Sequence, residues 1–231
     1  NSHLGIPLRL EASQDPLPRA SVREVYSAII DDFNYAAEHL PSSNGAYGTS
    51  DAANGYLAHI HFLMQDWMET VSYCDAIISS GHYALDTDLN RFESGITNVE
   101  TIFGIQSFMD SDLLEDATFV DFRCESLRDN YRSDNNPTPQ LTFSIDFINW
   151  WNGLGEGSGD ARAEWFTSGE RNFCNRFNDL DVFNVPLIHL TGIMLIRAEA
   201  LSELNENLSS AISDINSIRS RANASLINES A

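Results

Sequence analysis

The sequence predicts a mostly α-helical protein in which tetratricopeptide-like helical hairpins flank a long, irregular, loop-rich insert. Three observations carry this. Apolar residues recur at three- and four-residue spacings before residue 81 and again after residue 186, the period of one buried helix face. Stop signals (Pro41, Gly81, Asn205-Glu206-Asn207) fall where those periods break. Between residues 82 and 185 the period gives way to Gly, Asn, Asp and aromatic residues. With 231 residues, 42% of them apolar, the chain can bury one sizeable core or two small ones, so a single domain is expected.

Taken in order, residues 1–20 carry Pro7, Pro16 and Pro18 without a period and read as an extended lead-in to a helical core over 21–81. Ser21-Val22-Arg23-Glu24 has the spacing of a capping box, with hydroxyl and carboxylate each placed to satisfy the other residue's backbone amide. The helix it opens aligns Val22, Val25, Tyr26, Ile29, Ile30, Phe33, Ala36, Ala37 and Leu40 on one face, and Pro41 ends it. A second helix is expected from about Asp51, with Ala53, Tyr56, Leu57, Ile60, Met64 and Trp67 inward. A third runs from Trp67 to Ser80 until Gly81 supplies a left-handed stop.

A second hairpin is expected over 186–223. Pro186 suits a first helical turn, and Leu190, Met194, Leu195, Ala198, Leu201 and Leu204 form its inner stripe. Past the polar turn, Leu208, Ala211, Ile212, Ile215, Ile218 and Ala222 form the facing one. Within the insert, Glu100 to Phe108 has the β-branched and aromatic character of a strand, and Asn152 to Asp160, with four glycines, cannot be regular helix. A loop region this long inside a compact protein is usually functional.

Composition narrows the function. Thirty-four acidic residues against 13 basic ones give a formal charge of −21, and every basic residue is Arg. A GC-rich genome explains Arg in place of Lys but not the carboxylate excess, which fits a high-salt medium. Such a surface repels phosphate backbones, so no nucleic-acid partner is expected. Cys74, Cys124 and Cys174 have neither metal-ligand nor CxxC spacing, and Cys74 lies on an inward helix face, so neither disulfide framework nor zinc site is expected. No stretch approaches the roughly 18 apolar residues of a membrane-spanning helix.

Several stretches, in order, resemble the SusD/RagB family. They are Leu4-Gly5-Ile6-Pro7-Leu8; Ser21 to Tyr26 with Ile29-Ile30-Asp31-Asp32; Ala52-Ala53 with Tyr56-Leu57-Ala58; and Ala76 to Leu85. They continue with Glu100-Thr101-Ile102-Phe103; Asp160-Ala161-Arg162; Val185 to Ile188 running into Leu195 to Leu201; and Ile215 to Ala222. His189 and Thr191-Gly192 depart from the pattern, where Arg and Ala-Glu would be usual, and Thr70 stands where a tetratricopeptide helix usually has Ala, so the first repeat is expected to pack loosely. The resemblance implies a chain that starts and stops inside the family plan, without its acylated N-terminal Cys and first helices or its closing helical motif.

It further implies non-catalytic capture of an oligosaccharide at the outer-membrane surface, handed to a SusC-like TonB-dependent transporter, with membrane contact only through a lipid anchor and with no cofactor. Sugar rings lay an apolar C–H face on an aromatic plane while their hydroxyls seek amides and carboxylates at the rim. Trp150 and Trp151 are neighbours that point about 100° apart on a helix, so at least one should be presented rather than packed. Trp165 poses the same question, and Asn149, Asn152 and Glu156 are the polar candidates beside them. The bland alternative, Trp as packing, is stronger for Trp67 on its helical stripe. Asp110, Asp112, Glu115, Asp116 and Asp121 could offer oxygens to Ca²⁺, but their spacing is no EF-hand and composition alone produces such clusters, so no metal is expected. Asp160-Ala161-Arg162 reads as a scaffold ion pair near the aromatic segment. A helical-repeat interaction scaffold is the first alternative function, and an all-α glycoside hydrolase with two carboxylates the second.

Overall fold

A computed structural model of the chain describes residues 3–87, 89, 99–105, 142–153, 159–165 and 184–228. The lead-in is not featureless. Strands β1 (Leu4–Pro7) and β2 (Arg19–Ser21) pair antiparallel, and Arg19 crosses back to donate to the Gly5 carbonyl at 2.6 Å and the Leu4 carbonyl at 2.8 Å. Helix α1 (Val22–His39) follows, opened by the expected capping box. The Ser21 hydroxyl accepts from the Glu24 amide at 3.3 Å, while the Glu24 carboxylate accepts from the Ser21 amide at 2.8 Å. The Ser21 hydroxyl and then its amide hold that carboxyl below its ordinary value.

Helices α2 (Ser50–Leu63) and α3 (Trp67–Ser79) form the first hairpin, and α5 (Leu190–Leu204) and α6 (Leu208–Arg221) the second. Thr49 caps α2 by accepting from the Ala52 amide at 3.1 Å, and left-handed Gln65, Gly81, Asn205 and Asn207 make the turns and stops. The hairpins are far apart in sequence but stack in space. Helix α3 packs on α5, so α1, α2, α3, α5 and α6 form one continuous helical layer. Ala58, Cys74, Ile77, Ile102, Ile188 and Ile193 make its main core, and Ala198, Leu201 and Ala211 seal the second hairpin against Val71. Burial pushes the Cys74 thiol up to about 12, which leaves it an inert core residue.

Several expectations are corrected. Val185–His189 is not a first helical turn but strand β4, paired antiparallel with β3 (Thr101–Ile105), and the helix begins only at Leu190. Pro186 fixes an extended backbone there as readily as it would start a helix, and no signal within the segment decides between the two. Leu40, Met64, Leu195 and Leu208, placed inward by period, are exposed: Leu40 and Met64 are the terminal caps of α1 and α2, Leu208 is the first residue of α6, and Ile193 takes the inward position on α5. Thr70 is not loosely packed. It is fully buried, and its hydroxyl donates to the Asp66 carbonyl at 2.8 Å.

Gly55 sets the distance between α2 and β4. A Cβ there would lie 2.9 Å from Cγ2 of Ile188, itself 1% exposed. Overpacking of this kind costs about 1–3 kcal/mol, against about 1 kcal/mol gained by Ala over Gly in a helix. Gly55→Ala should therefore destabilise the fold by about 1 kcal/mol, read from the urea midpoint, although it improves the local helix propensity.

Two polar pins tie the layer together. On one side, Arg197 of α5 donates to both carboxylate oxygens of buried Asp214 on α6, at 2.7 and 2.6 Å, and to Asp75 of α3 at 2.6 Å. Burial opposes the charge on Arg197, but the bonds to Asp214 and Asp75 outweigh it and raise its already high pKa. On the other side lies Glu100, 1% exposed at the start of β3. Its carboxylate pairs with Arg221 at the end of α6 and accepts from the Thr191 hydroxyl at 2.7 Å and the Asp86 amide at 2.9 Å. The Thr191 oxygen in turn accepts from Arg221 at 3.1 Å, and the Asp86 carbonyl accepts from Arg221 at 3.2 Å. Thr191, which departs from the family pattern, is thus a working member of this cage.

Candidate functional site

Helix α4 (Ile145–Gly153) carries the aromatic pair. The 100° step between successive residues divides it cleanly. Phe147, Ile148 and Trp151 form its half-buried arc, whereas Ile145, Asp146, Asn149, Trp150, Asn152 and Gly153 face outward. Trp150 is 57% exposed. One of the two adjacent tryptophans is presented and the other packed, as their spacing requires.

Phe147 lies one turn before both, with ring centroids 5.9 Å from Trp150 and 6.3 Å from Trp151, and Phe143 stacks on Phe147 at 5.2 Å. Arg162 places its guanidinium 5.4 Å from the Trp151 ring centre, within cation–π range. Arg162 stands in a short 3₁₀ turn, Ala161–Trp165, and is fixed by buried Asp160. Nε of Arg162 donates to both carboxylate oxygens, at 2.9 and 3.1 Å, and its backbone amide to one of them at 2.9 Å. The Ala161 amide donates to the Ala222 carbonyl at 2.8 Å, anchoring the turn to the end of α6. A continuous line of contacts therefore runs from the second hairpin through Asp160 and Arg162 to Trp151, and through Phe147 to the presented ring of Trp150.

Burial pushes the Asp160 carboxyl up, but the Arg162 side chain and amide, with Arg219 further off, outweigh it and hold the group below its ordinary value of 3.8. A carboxyl depressed in the folded state stabilises it at any pH above the unfolded value and loses that contribution as pH falls through the lower, folded value. The stability difference between the wild type and Asp160→Asn should be constant above about pH 5 and shrink below about pH 4. Urea midpoints measured across that range check it.

The expected polar candidates divide. Asn149 and Asn152 lie on the exposed arc with Trp150, and Trp165 is half-buried in the 3₁₀ turn. Glu156 lies outside the described residues, as do Asp110, Asp112, Glu115, Asp116 and Asp121. Among the described residues no group of three or more His, Cys, Asp or Glu side chains is arranged to hold a metal ion. Sequence reasoning missed Asp146. It stands four residues before Trp150, one turn back on the same exposed face, and that i, i+4 spacing was the available signal.

Residues 178–231 match the SusD family. The fold extends the likeness over nearly the whole chain. A SusD superfamily protein from Bacteroides thetaiotaomicron superposes with a TM-score of 0.79 at 20% identity, covering 96% of this chain and 52% of that one. The chain has a SusD-like fold. A SusD-like carbohydrate binding protein from Bacteroides vulgatus gives a TM-score of 0.77 at 17% identity, over 98% of this chain and 50% of that one. A SusD superfamily protein from Parabacteroides distasonis also gives 0.77, at 18% identity, over 99% and 57%. The chain thus spans about half the length of the solved structures it matches. No curated protein matches it by sequence. The stretches that carry the SusD resemblance have physical partners here: Glu100 and Arg221, from motifs far apart in the chain, are the two halves of the buried cage.

Proposed function

We propose that this SusD-like chain captures an oligosaccharide on the exposed face of α4 and breaks no bond in it. The observation that supports the reading most is Trp150, an indole 57% exposed yet braced from behind by Phe147, in contact with Trp151, which Arg162 covers. A braced, exposed ring loses little freedom when a sugar face stacks on it. Asn149, Asn152 and Asp146 supply amide and carboxylate partners for ring hydroxyls around it, as sugar recognition requires. Trp165, half-buried in the 3₁₀ turn, is a further candidate platform in this reading. The carboxylate of Asp146 and the net charge of −21 favour neutral glycans over uronic or sulfated ones.

On this reading the chain is one domain: a lead-in over 1–20, a helical core over 21–81 completed by 186–223, and a binding insert over 82–185. Likeness to a SusD-like carbohydrate binding protein supports a sugar as ligand. Delivery to a SusC-like TonB-dependent transporter and display on the outer membrane by a lipid anchor complete the proposal. No helix among the described residues is long and apolar enough to cross a membrane, which is compatible with such anchoring. The test is calorimetric titration with a panel of neutral α- and β-linked oligosaccharides, run beside an assay for new reducing ends. Saturable binding without release is expected. Release of reducing ends would replace capture with hydrolysis, and failure to bind any glycan would leave the α4 face without its proposed ligand.

A further inference from the structure

The charge imbalance has a structural side that composition alone does not reveal. Among the described residues, Arg9, Arg19, Arg162, Arg197, Arg219 and Arg221 each donate to an oxygen of their own chain. Arg9 and Arg19 point at backbone carbonyls, and Arg219 donates to the Ser225 carbonyl. Arg162, Arg197 and Arg221 do meet carboxylates, but Asp160, Asp214 and Glu100 are all buried. Arg197 also reaches the exposed Asp75, and Arg23 lies exposed on α1 outside these contacts, but the other described arginines are engaged within the fold. Asp31, Asp32 and Glu38 on α1, Glu69 on α3, and Glu199 and Glu203 on α5 are all exposed, and none has an ion-pair partner. No lysine exists to supply one.

We infer that the folded state of this chain depends on dissolved monovalent salt, its surface being built for a brine in which a diffuse cation cloud does the work that lysines do elsewhere. Screening sets the range. At 0.1 M salt the Debye length is about 10 Å, so carboxylates on neighbouring helices repel one another, whereas at 1 M it is about 3 Å and each is felt alone. Carboxylates also remain hydrated in concentrated salt, which keeps the protein dispersed. Neutral contacts such as ring stacking are not screened, so a surface of this kind remains compatible with sugar capture in the same medium, but the inference stands without it.

The test is urea unfolding of the whole chain in KCl from 0.05 to 2 M, urea being uncharged. The midpoint should climb through the molar range, whereas sucrose at matched osmolality should reproduce only a minor part of the rise. A second protein carrying Asp31→Asn, Asp32→Asn, Glu38→Gln, Glu199→Gln and Glu203→Gln should unfold later than the wild type in 0.05 M KCl and show a shallower climb. A wild-type midpoint that is flat or falling above about 0.2 M KCl would overturn the inference, since the Debye length still shortens there, from about 8 Å at 0.15 M to about 3 Å at 1 M, and densely placed carboxylates should feel it. An unchanged slope in the five-fold variant would overturn it equally, by removing carboxylate repulsion as the cause.

Discussion

Arg221→Ala should lower stability by about 3–5 kcal/mol, the usual cost of stripping one partner from a buried ion pair. The cause is the carboxylate left behind. Glu100 is 1% exposed, and the side chain of Arg221 is 7% exposed, so no water can replace the lost guanidinium without opening the sheet end of the core. The loss is compounded because the Thr191 hydroxyl and the Asp86 carbonyl each lose a donor at the same time. In a chain of this size the midpoint of thermal unfolding should fall by about 10 °C, measured at high salt so that surface repulsion does not mask it. Glu100→Gln should cost less, because an amide oxygen still accepts from Arg221 and the backbone, and the charge it strands, the delocalised Arg221 guanidinium, is less strongly hydrated than a carboxylate and so cheaper to leave buried. Equal losses in the two variants would mean that the ion pair both of them break sets the cost, and not the carboxylate that only Arg221→Ala leaves unpaired.

The second large effect concerns binding. Trp150→Ala should weaken glycan affinity at least about tenfold, equivalent to 1.4 kcal/mol, with the urea midpoint unchanged because the ring is mostly in solvent. Trp151→Ala should instead reduce both, since this ring is half-buried beneath Arg162 and touches the Phe147 that braces Trp150. Asn149→Ala and Asp146→Ala should show smaller losses of affinity, each removing a rim partner while leaving the platform in place. This pattern separates a binding platform from a packing cluster. In a packing cluster the more buried ring would govern stability and neither would govern affinity.

The helices were legible in the sequence because their signals are local. Ser21 and Glu24 stand three apart, Gly81 ends a period, and Asn205 and Asn207 take left-handed conformations at little cost. The division of Trp150 and Trp151 between solvent and packing follows from helix geometry alone. Local signals failed at residues 185–189, where Pro186 is consistent with both a helix start and an edge strand, and only the partner strand β3 settles the matter. They also failed for the cage, whose Glu100 and Arg221 are 121 positions apart, and for the stacking of the two hairpins, which no spacing announces. The Asp160-Ala161-Arg162 stretch fell between these cases. Its internal ion pair could be read from the residues, but its contact with Trp151, which makes it the support of the site, is tertiary.

The most direct test of the central claim is the fluorescence of a variant that keeps Trp150 alone, with Phe at positions 67, 151 and 165, titrated with the neutral oligosaccharide that binds the wild type most tightly. A saturable blue shift with the same midpoint as the calorimetric curve is the predicted result, since a sugar stacked on the ring removes it from water. A variant that remains folded and binds the glycan with no change in emission would contradict the account, because the ligand would then be held somewhere other than the exposed face of α4.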